Sequence, residues 1–130
     1  MDINKVTLIG RLTQDPEEKK GAPEQKLASF TIATNYIWKD YKTKQKKEQV
    51  EFHKVVVWGK LAEIVLSYLN KGSRVYLEGR LKTRKWEDQQ GQKRSSTHVL
   101  ADEIIMLGGK PSGGRTKEEP SDQELVVEEV

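Results

Sequence analysis

The 130 residues, of which 33% are charged and 35% hydrophobic, predict one compact domain with a modest core. Without cysteine the chain has no disulfide or thiolate metal site, and without an apolar run that spans a bilayer we expect an intracellular protein with no membrane contact. Residues 1–110 contain 21 Lys and Arg against 14 Asp and Glu, and residues 111–130 contain 2 against 6, so a basic body predicts a polyanionic partner.

The first two predicted strands lie on either side of a loop that contains glycine and proline. Apolar and polar side chains alternate from Ile3 to Leu12, which is typical of a strand. A second, longer alternation runs from Leu27 to Trp38, after the loop from Gly21 to Pro23. Lys39 to Glu48, with five lysines and two acidic residues, follows as an exposed and mobile hairpin connector.

The third predicted strand, Val50 to Trp58, places two aromatic rings and a lysine on one face. Side chains of a strand alternate between faces, so Phe52, Lys54 and Trp58 point one way and His53 points the other. Exposed rings beside a cation suit a single nucleic-acid strand, whose bases stack on the rings while basic side chains hold the phosphates. A strand buried on both faces, with a snorkelling lysine, is the alternative, and this segment alone does not separate the two.

One helix is predicted after Gly59, where the apolar period changes from two residues to about 3.6. Its apolar stripe consists of Leu61, Ile64, Val65, Tyr68 and Leu69. Gly72 is expected to be the left-handed cap at the C-terminus of the helix, with Lys71 favourably placed against the helix dipole.

Two further strands complete the predicted domain, residues 1–108. Arg74 to Trp86 and Gln92 to Leu107 flank the turn signal Asp88-Gln89-Gln90-Gly91. An all-β chain with one helix between strands 3 and 4 has the element order of the OB-fold, a five-stranded Greek-key barrel that binds oligonucleotides and oligosaccharides. An αβ sandwich is the alternative.

Residues 109–130 are predicted to form a short acidic tail outside this domain. The run from Lys110 to Gly114 contains no pattern to bury, and the tail that follows is acidic around Leu125, Val126 and Val127. We expect this tail to be disordered in isolation and free to dock elsewhere.

The candidate ligand contacts are aromatic and basic. Each tryptophan (Trp38, Trp58 and Trp86) lies near a cation, and one stacked base is worth about 1–3 kcal/mol. Core use of tryptophan is the alternative, and it fits Trp86 least because that ring shares a predicted face with Arg84. Basic residues of the connector and of the fourth strand either hold phosphates or serve solubility alone.

Signals for catalysis are weak. His53 and His98 are the only histidines, and no serine or cysteine partner set or metal-ligand spacing accompanies them. No glycine-rich phosphate loop occurs. We therefore expect no catalytic residue, metal or cofactor; an RNA-binding or primosome-type OB module and a nuclease on the same scaffold are the rival functions.

Five motifs along the domain share the order and spacing of one known family. They are Asn4-Lys5-Val6-x-Leu8-Ile9-Gly10, Phe30-x-Ile32-Ala33-Thr34, Glu51-x-His53-x-Val55-Val56-x-Trp58-Gly59-Lys60-Leu61-Ala62-Glu63, Tyr68-Leu69-x-Lys71-Gly72-Ser73-x-Val75-Tyr76-x-Glu78-Gly79 and Leu81-x-Thr83-Arg84-Lys85-Trp86-x-Asp88-x-x-Gly91. Over about residues 3–108 the chain resembles the bacterial-type single-stranded DNA-binding protein. The resemblance implies an OB-fold homotetramer that wraps and protects single-stranded DNA, independently of sequence, in replication, recombination and repair.

The resemblance also implies roles for individual residues. The stacking rings fall on Trp38, Phe52, Trp58 and Trp86, although the family often has Trp at the second of these positions and Phe at the third. The basic DNA contacts fall on Lys39, Lys54, Lys60, Lys71, Arg84 and Lys85. His53 matches a histidine associated with subunit assembly. The expected oligomer interface consists of pairing between the first strands and of the face that bears Tyr76 and Glu78.

The C-terminus departs from the family pattern. Bacterial members usually end in a long linker, several aspartates and Ile-Pro-Phe, which docks replication and repair enzymes. Here the linker is about ten residues and the last six residues are Leu125, Val126, Val127, Glu128, Glu129 and Val130. We expect any recruitment of replication and repair proteins by this tail to use differently shaped pockets. The mitochondrial branch lacks the tip too, but no transit peptide is visible, so a cytoplasmic, nucleoid-associated protein is expected.

Overall fold

The computed structural model describes residues 1–20 and 25–108, so the predicted loop from Gly21 to Pro23 and the predicted tail of residues 109–130 lie outside the described residues. The elements in chain order are β1 (Val6–Leu12), β2 (Glu17–Lys20), β3 (Lys26–Lys39), β4 (Lys46–Trp58), α1 (Gly59–Tyr68), β5 (Arg74–Glu87) and β6 (Lys93–Leu107). The prediction of an all-β chain with one helix is confirmed. In the described ranges no helix has the length and apolar character needed to cross a membrane.

Five strands close into a barrel in the order β1-β5-β6-β4-β3. β3 returns to β1 where Leu12 lies opposite Ile32, and the parallel pair of β4 and β6 meets where Val55 lies opposite Val99. Among these five strands α1 lies between the third and the fourth, so the predicted OB-fold is confirmed. With β2 included in the numbering, the helix follows β4.

β2 is a strand that the sequence did not predict. Its four residues, Glu17–Lys20, contain no apolar side chain and no alternation. They pair antiparallel with the start of β3, so the strand forms because the edge of β3 offers backbone partners. A short charged strand suits the edge of a sheet because it discourages pairing with another chain.

The core lies inside the barrel and under α1. Val55 and Val57 are fully buried, as the alternation of the third predicted strand indicated. α1 packs against β3 and β4 through Ala62 and Val65. The core residues are Leu12, Ala28, Phe30, Ile32, Val55, Val57, Ala62, Val65, Leu69, Val75, Leu77, Val99 and Ala101.

Three details of the predicted helix are wrong. Ile64 and Tyr68 are exposed, because the helix turns Ala62 and Val65 to the core. α1 ends at Tyr68 with Leu69 as its C-cap, so Gly72, at φ 92°, is not the cap. It lies in the turn before β5, where its N–H donates to the carbonyl of Leu12. Lys71 lies beyond the end of α1, whose last turn contains no basic residue, so the predicted interaction of Lys71 with the helix dipole is the third error.

The predicted connector from Lys39 to Glu48 is shorter than expected. β3 continues to Lys39 and β4 begins at Lys46, so both strands take residues from it. Asp40 organises the remaining turn: its Oδ1 accepts from the N–H of Lys42 at 3.0 Å, and its carbonyl accepts from the N–H of Lys44 at 2.7 Å. These hydrogen bonds form a defined turn instead of a long loop.

A bulge in β6 lets β5 and β6 pack very closely. The register shifts at Glu78 and Gly79, which leaves Asp102 as an extra residue on β6. A Cβ at Gly79 would lie 2.0 Å from the carbonyl oxygen of Leu100, so only glycine fits there.

Two antiparallel ribbons extend past the barrel and frame one of its faces. The β3–β4 arm comprises residues 34–39 and 46–52, and the β5–β6 arm comprises residues 81–87 and 93–98. Asp88 closes the second arm as the predicted turn, with its Oδ1 accepting from the N–H groups of Gln90 and Gln92, both at 2.9 Å. Its Oδ2 accepts from Nε of Arg94 at 3.0 Å.

Candidate nucleic-acid interface

A groove of about 650 Å³ runs over the outer face of β3 and β4. Its floor includes Ser29, Thr31 and Lys54. One wall comes from the segment around Asp15 and β2, and the opposite wall from the β5–β6 arm. Oligonucleotides bind OB-folds on this face, between the loop after the first strand and the hairpin of the last two.

Three predicted DNA contacts, Lys54, Arg84 and Trp86, meet in this groove. The guanidinium of Arg84 lies over the indole of Trp86, with Cζ 5.4 Å from the ring centroid, which is a cation–π contact. The ring of Trp86 is 42% exposed, so it offers a wet surface for a base. Lys85, between these two residues on β5, points to the other face of the arm and does not line the groove.

The face of β4 that carries Phe52 and Lys54 is exposed. Phe52 is 65% exposed and Lys54 is exposed as well, so the alternative of a strand buried on both faces is wrong. Trp58 is half-buried at the other end of this face, opposite Leu27 of β3. The face therefore presents a row of rings and one cation that continues the groove floor.

Trp38 lies on the opposite face of the β3–β4 arm. Trp38 lies opposite Lys47 of β4, so both side chains point to the same face of the arm. Side chains alternate along β4, and residue 47 therefore points away from the face that holds Phe52. Its ring stacks on Tyr36 with centroids 5.6 Å apart and an interplanar angle of 29°. Tyr36 is 58% exposed and was missed by the sequence reading, although its position two residues before Trp38 puts it on the same face.

Like Lys85, three further predicted basic contacts lie outside the groove. Lys39 ends β3 at the tip of the β3–β4 arm, and Lys60 lies in the first turn of α1. Lys71 is in the turn between α1 and β5, where its N–H donates to Oδ1 of Asp15 at 2.8 Å. Since Asp15 lines the groove, Lys71 borders one end of it.

His98 is a groove residue to which the sequence gave no role. It lies on β6 directly opposite Lys82 of β5, on the face that also holds Ser96. Burial, and then the positive charges of Lys54, Arg84 and Lys82, hold the pKa of His98 below its ordinary value of 6.5. The side chain is therefore mostly neutral at pH 7. The alternation of residues 94, 96 and 98 on the last strand was the signal that could have identified it.

The predicted assembly residues lie away from the groove. Tyr76 donates its hydroxyl to the carboxylate of Glu78, and this hydrogen bond raises the pKa of Tyr76. Glu78 also lies 3.7 Å from Nζ of Lys5. On the same outer face Ile9, Tyr76 and Ile105 form a row across β1, β5 and β6, in which both isoleucines are 47% exposed.

His53 occupies a separate position beside β1. Its Nε2 is 2.9 Å from Oγ1 of Thr34, and Gly10 of β1 packs against Thr34 and the carbonyl of Ala33. The imidazole points away from Phe52 and the groove. Among the described residues no cluster of three or more His, Asp or Glu side chains is suited to a metal ion.

The closed barrel and its aromatic, basic groove define an OB-fold protein for a single nucleic-acid strand. The family model of the single-strand binding protein family matches residues 3–107. Among solved structures, the Plasmodium falciparum SSB complex with ssDNA is similar, with 34% sequence identity and a TM-score of 0.75 over 82% of this chain and 97% of that one. The chain belongs to the single-strand binding protein family.

Proposed function

We propose that the chain binds single-stranded DNA independently of sequence and protects it in replication, recombination and repair. The observation that carries this proposal is the groove that joins Lys54 of β4 with Arg84 and Trp86 of β5. Bases stack on Trp86, Phe52 and Trp58, and phosphates contact Lys54 and Arg84. Every base has a π-face, so stacking supplies affinity without reading sequence.

The remaining contacts that we propose imply a path for the strand that is longer than the groove. To reach Trp38 and Tyr36, the strand passes round an edge of the β3–β4 arm, because these rings face away from Phe52. Lys39, Lys60, Lys71 and Lys85 lie along the surface beyond the groove and attract phosphates there. This arrangement supports wrapping of the strand round the protein.

Assembly into a homotetramer belongs to the same proposal. In the outer row, Ile9 and Ile105 are exposed in one chain on either side of the half-buried Tyr76, which suits burial against a second copy. Glu78, held by Lys5 and Tyr76, supplies a polar rim. His53 beside β1 fits the role of an assembly residue better than that of a catalyst, because it lies outside the groove.

The domain organisation, the location in the cell and the absence of catalysis complete the proposal. Residues 1–108 form the DNA-binding domain and residues 109–130 form a tail that docks replication and repair proteins. The protein works in the cytoplasm on the nucleoid. It turns over no substrate, because DNA is held by stacking and charge and no chemical step is needed.

Quenching of tryptophan fluorescence by oligo-dT tests the proposed function. We expect strong quenching at low salt and a fall in affinity with a log–log slope of about −0.7 per phosphate neutralised. Competition by oligo-rU separates DNA from RNA binding, since RNA proteins use the 2′-hydroxyl. A labelled strand that stays intact with magnesium supports a non-enzymatic role. Absence of quenching at low salt, or cleavage of the strand, contradicts the proposal.

A further inference from the structure

A row of basic side chains runs across three adjacent strands at the groove: Lys54 and His98 line it, and Lys82 lies beside them on β5. Lys82 of β5 lies directly opposite His98 of β6. On the other side of β6, the parallel strand β4 pairs Val55 with Val99, so Lys54 and His98, each one residue earlier, are neighbours. The three side chains therefore stand side by side where β4, β6 and β5 meet. The guanidinium of Arg84 lies at one end of this row, where it also lines the groove.

The cations of this row lack carboxylate partners. Within residues 1–20 and 25–108, none of Lys54, Lys82 and Arg84 forms an ion pair or a hydrogen bond to an acidic side chain. Adjacent like charges without a counter-ion repel each other, so an anion bound between them relieves that repulsion. A phosphate is the anion that a bound DNA strand supplies.

Among the other charged groups around His98, Arg80 shares the outer face of β5 with Lys82 and adds a positive charge beside the row. On β6 itself, Arg94 bonds to Asp88. From the facing wall, Asp15 accepts from the N–H of Lys71, while Glu17 lies 3.9 Å from Nζ of Lys19. The facing wall thus combines the carboxylates of Asp15 and Glu17 with Lys19, whereas the row on β4, β5 and β6 has no carboxylate, so the row attracts a phosphate more strongly.

We propose that Lys54 and His98 of the groove, together with the adjacent Lys82, form a phosphate site, and that His98 takes up a proton when DNA occupies it. The inference rests on the proposed function, since the phosphate belongs to the bound strand. Neutral His98 avoids adding a further charge to the free protein. A phosphate beside His98 shifts its protonation equilibrium towards the imidazolium, which then donates a charge-assisted hydrogen bond to the phosphate.

The sign of the resulting pH dependence is fixed. In the free protein the pKa of His98 lies below 6.5, and a neighbouring phosphate raises it. Affinity for DNA therefore increases as the pH falls from above the bound pKa to below the free one, and it levels off outside that window. A shift of half a unit to one unit corresponds to about a three- to tenfold change in affinity.

The experiment uses the full chain, in which His53 is an internal control because only two histidines are present. Oligo-dT is the probe because thymine has no group that titrates between about pH 5 and pH 8, where histidine does. NMR titration of the two imidazoles, free and bound, should show a raised pKa for His98 and little change for His53. The dissociation constant for oligo-dT should fall about three- to tenfold from pH 8 to pH 6 at constant salt.

The His98→Gln variant keeps a side chain that can donate a hydrogen bond to the phosphate but cannot take up a proton. It should bind oligo-dT with an affinity that hardly changes over this pH range, and the native-state amide spectrum reports that it is folded. An unchanged or lowered pKa of His98 on binding, or equal pH dependence in His98→Gln and the parent, overturns the inference alone. Absence of any quenching by oligo-dT overturns the proposed function and the phosphate site with it.

Discussion

The guanidinium of Arg84 lies over one face of the Trp86 indole, with Cζ 5.4 Å from the ring centroid. The contact places a cation against one face of a large ring that is 42% exposed on the β5–β6 arm. A base can stack on the uncovered face of the ring while the guanidinium remains available to a phosphate. The pair therefore combines the two kinds of contact on which binding of a single strand depends.

Replacement of Trp86 by alanine should weaken binding of oligo-dT by about 1–3 kcal/mol, because one stacked base is lost. Trp86→Phe keeps a ring and should lose less. Tyr68→Ala is the matched control, since Tyr68 is an exposed aromatic residue on α1, outside the groove. Titration of each variant by anisotropy of a labelled strand measures the difference. Equal losses for Trp86→Ala and Tyr68→Ala would show that Trp86 does not stack.

The contribution of Trp38 should depend on the length of the strand. A strand of about six nucleotides fills part of one OB-fold groove and should bind Trp38→Ala and the parent equally. A strand several times longer passes round the β3–β4 arm and should bind the variant more weakly, because Trp38 and Phe52 face opposite sides. Binding curves for a series of oligo-dT lengths measure this. A loss that is the same at every length contradicts the path that we propose.

Gly79→Ala should destabilise the fold by about 1–3 kcal/mol or more, as overpacking does. The new Cβ would lie 2.0 Å from the carbonyl oxygen of Leu100, and backbone atoms cannot move aside as a flexible side chain does. Urea unfolding gives the free energy. Lys85→Ala, at an exposed position on the same strand, is the control and should change it little. A Gly79→Ala protein as stable as this control would show that β5 and β6 are less closely packed.

Asp88 should make the stability of the β5–β6 arm depend on pH. Hydrogen bonds from the N–H of Gln92 and from Arg94 hold the pKa of Asp88 below 3.8. Its stabilising contribution is thus fully present above 3.8 and is lost as the pH falls through the lower folded pKa. Asp88→Asn should be less stable than the parent at neutral pH, with a difference that shrinks in acid.

Urea unfolding at about pH 7 and about pH 3 measures that difference. Asp102→Asn is the control, because Asp102 is exposed and has no hydrogen bond from a side chain within the described part of the chain. A difference for Asp88→Asn that stays constant between the two pH values contradicts the role of its charge.

Ile105→Glu should reduce the mass of the assembly. The new charge would lie in the outer apolar row beside Tyr76 and close to Glu78, so burial against a second copy becomes unfavourable. Light scattering should give a smaller particle, while quenching by a short oligo-dT persists. Ile64→Glu places the same charge on the exposed side of α1 and should leave the mass unchanged. A mass that Ile105→Glu does not alter excludes this row as an interface.

The sequence predicted well those elements whose signal lies in their own side chains. The alternation around Val55 and Val57 identified both faces of β4, and Asp88 with Gly91 identified the turn of the β5–β6 arm. β2 was missed because its charged residues carry no pattern and its partners come from β3. The helix end was misjudged because Gly72 serves the turn before β5 instead of the helix.

The site could be predicted in its chemistry but less well in its geometry. Lys54, Arg84 and Trp86 were identified as contacts and they share one groove. Trp38 was predicted to share the groove, but the alternation of side chains along β3 puts its ring on the opposite face of the β3–β4 arm. His98 was overlooked because its neighbours Lys54 and Lys82 are supplied by two other strands, and pairing across a barrel cannot be read from one segment.

The way in which the barrel closes implies that a bound strand would stabilise it. The long ladders divide the fold into two halves, β1-β5-β6 and β2-β3-β4. These halves are joined where Leu12 meets Ile32 and where Val55 meets Val99, each a seam two residue pairs long. In the proposed path, DNA in the groove would lie across the second seam, because Lys54 on one half and Arg84 on the other both line the groove. A bound strand would therefore hold the two halves together, and amide hydrogens along β4 and β6 should exchange more slowly in its presence.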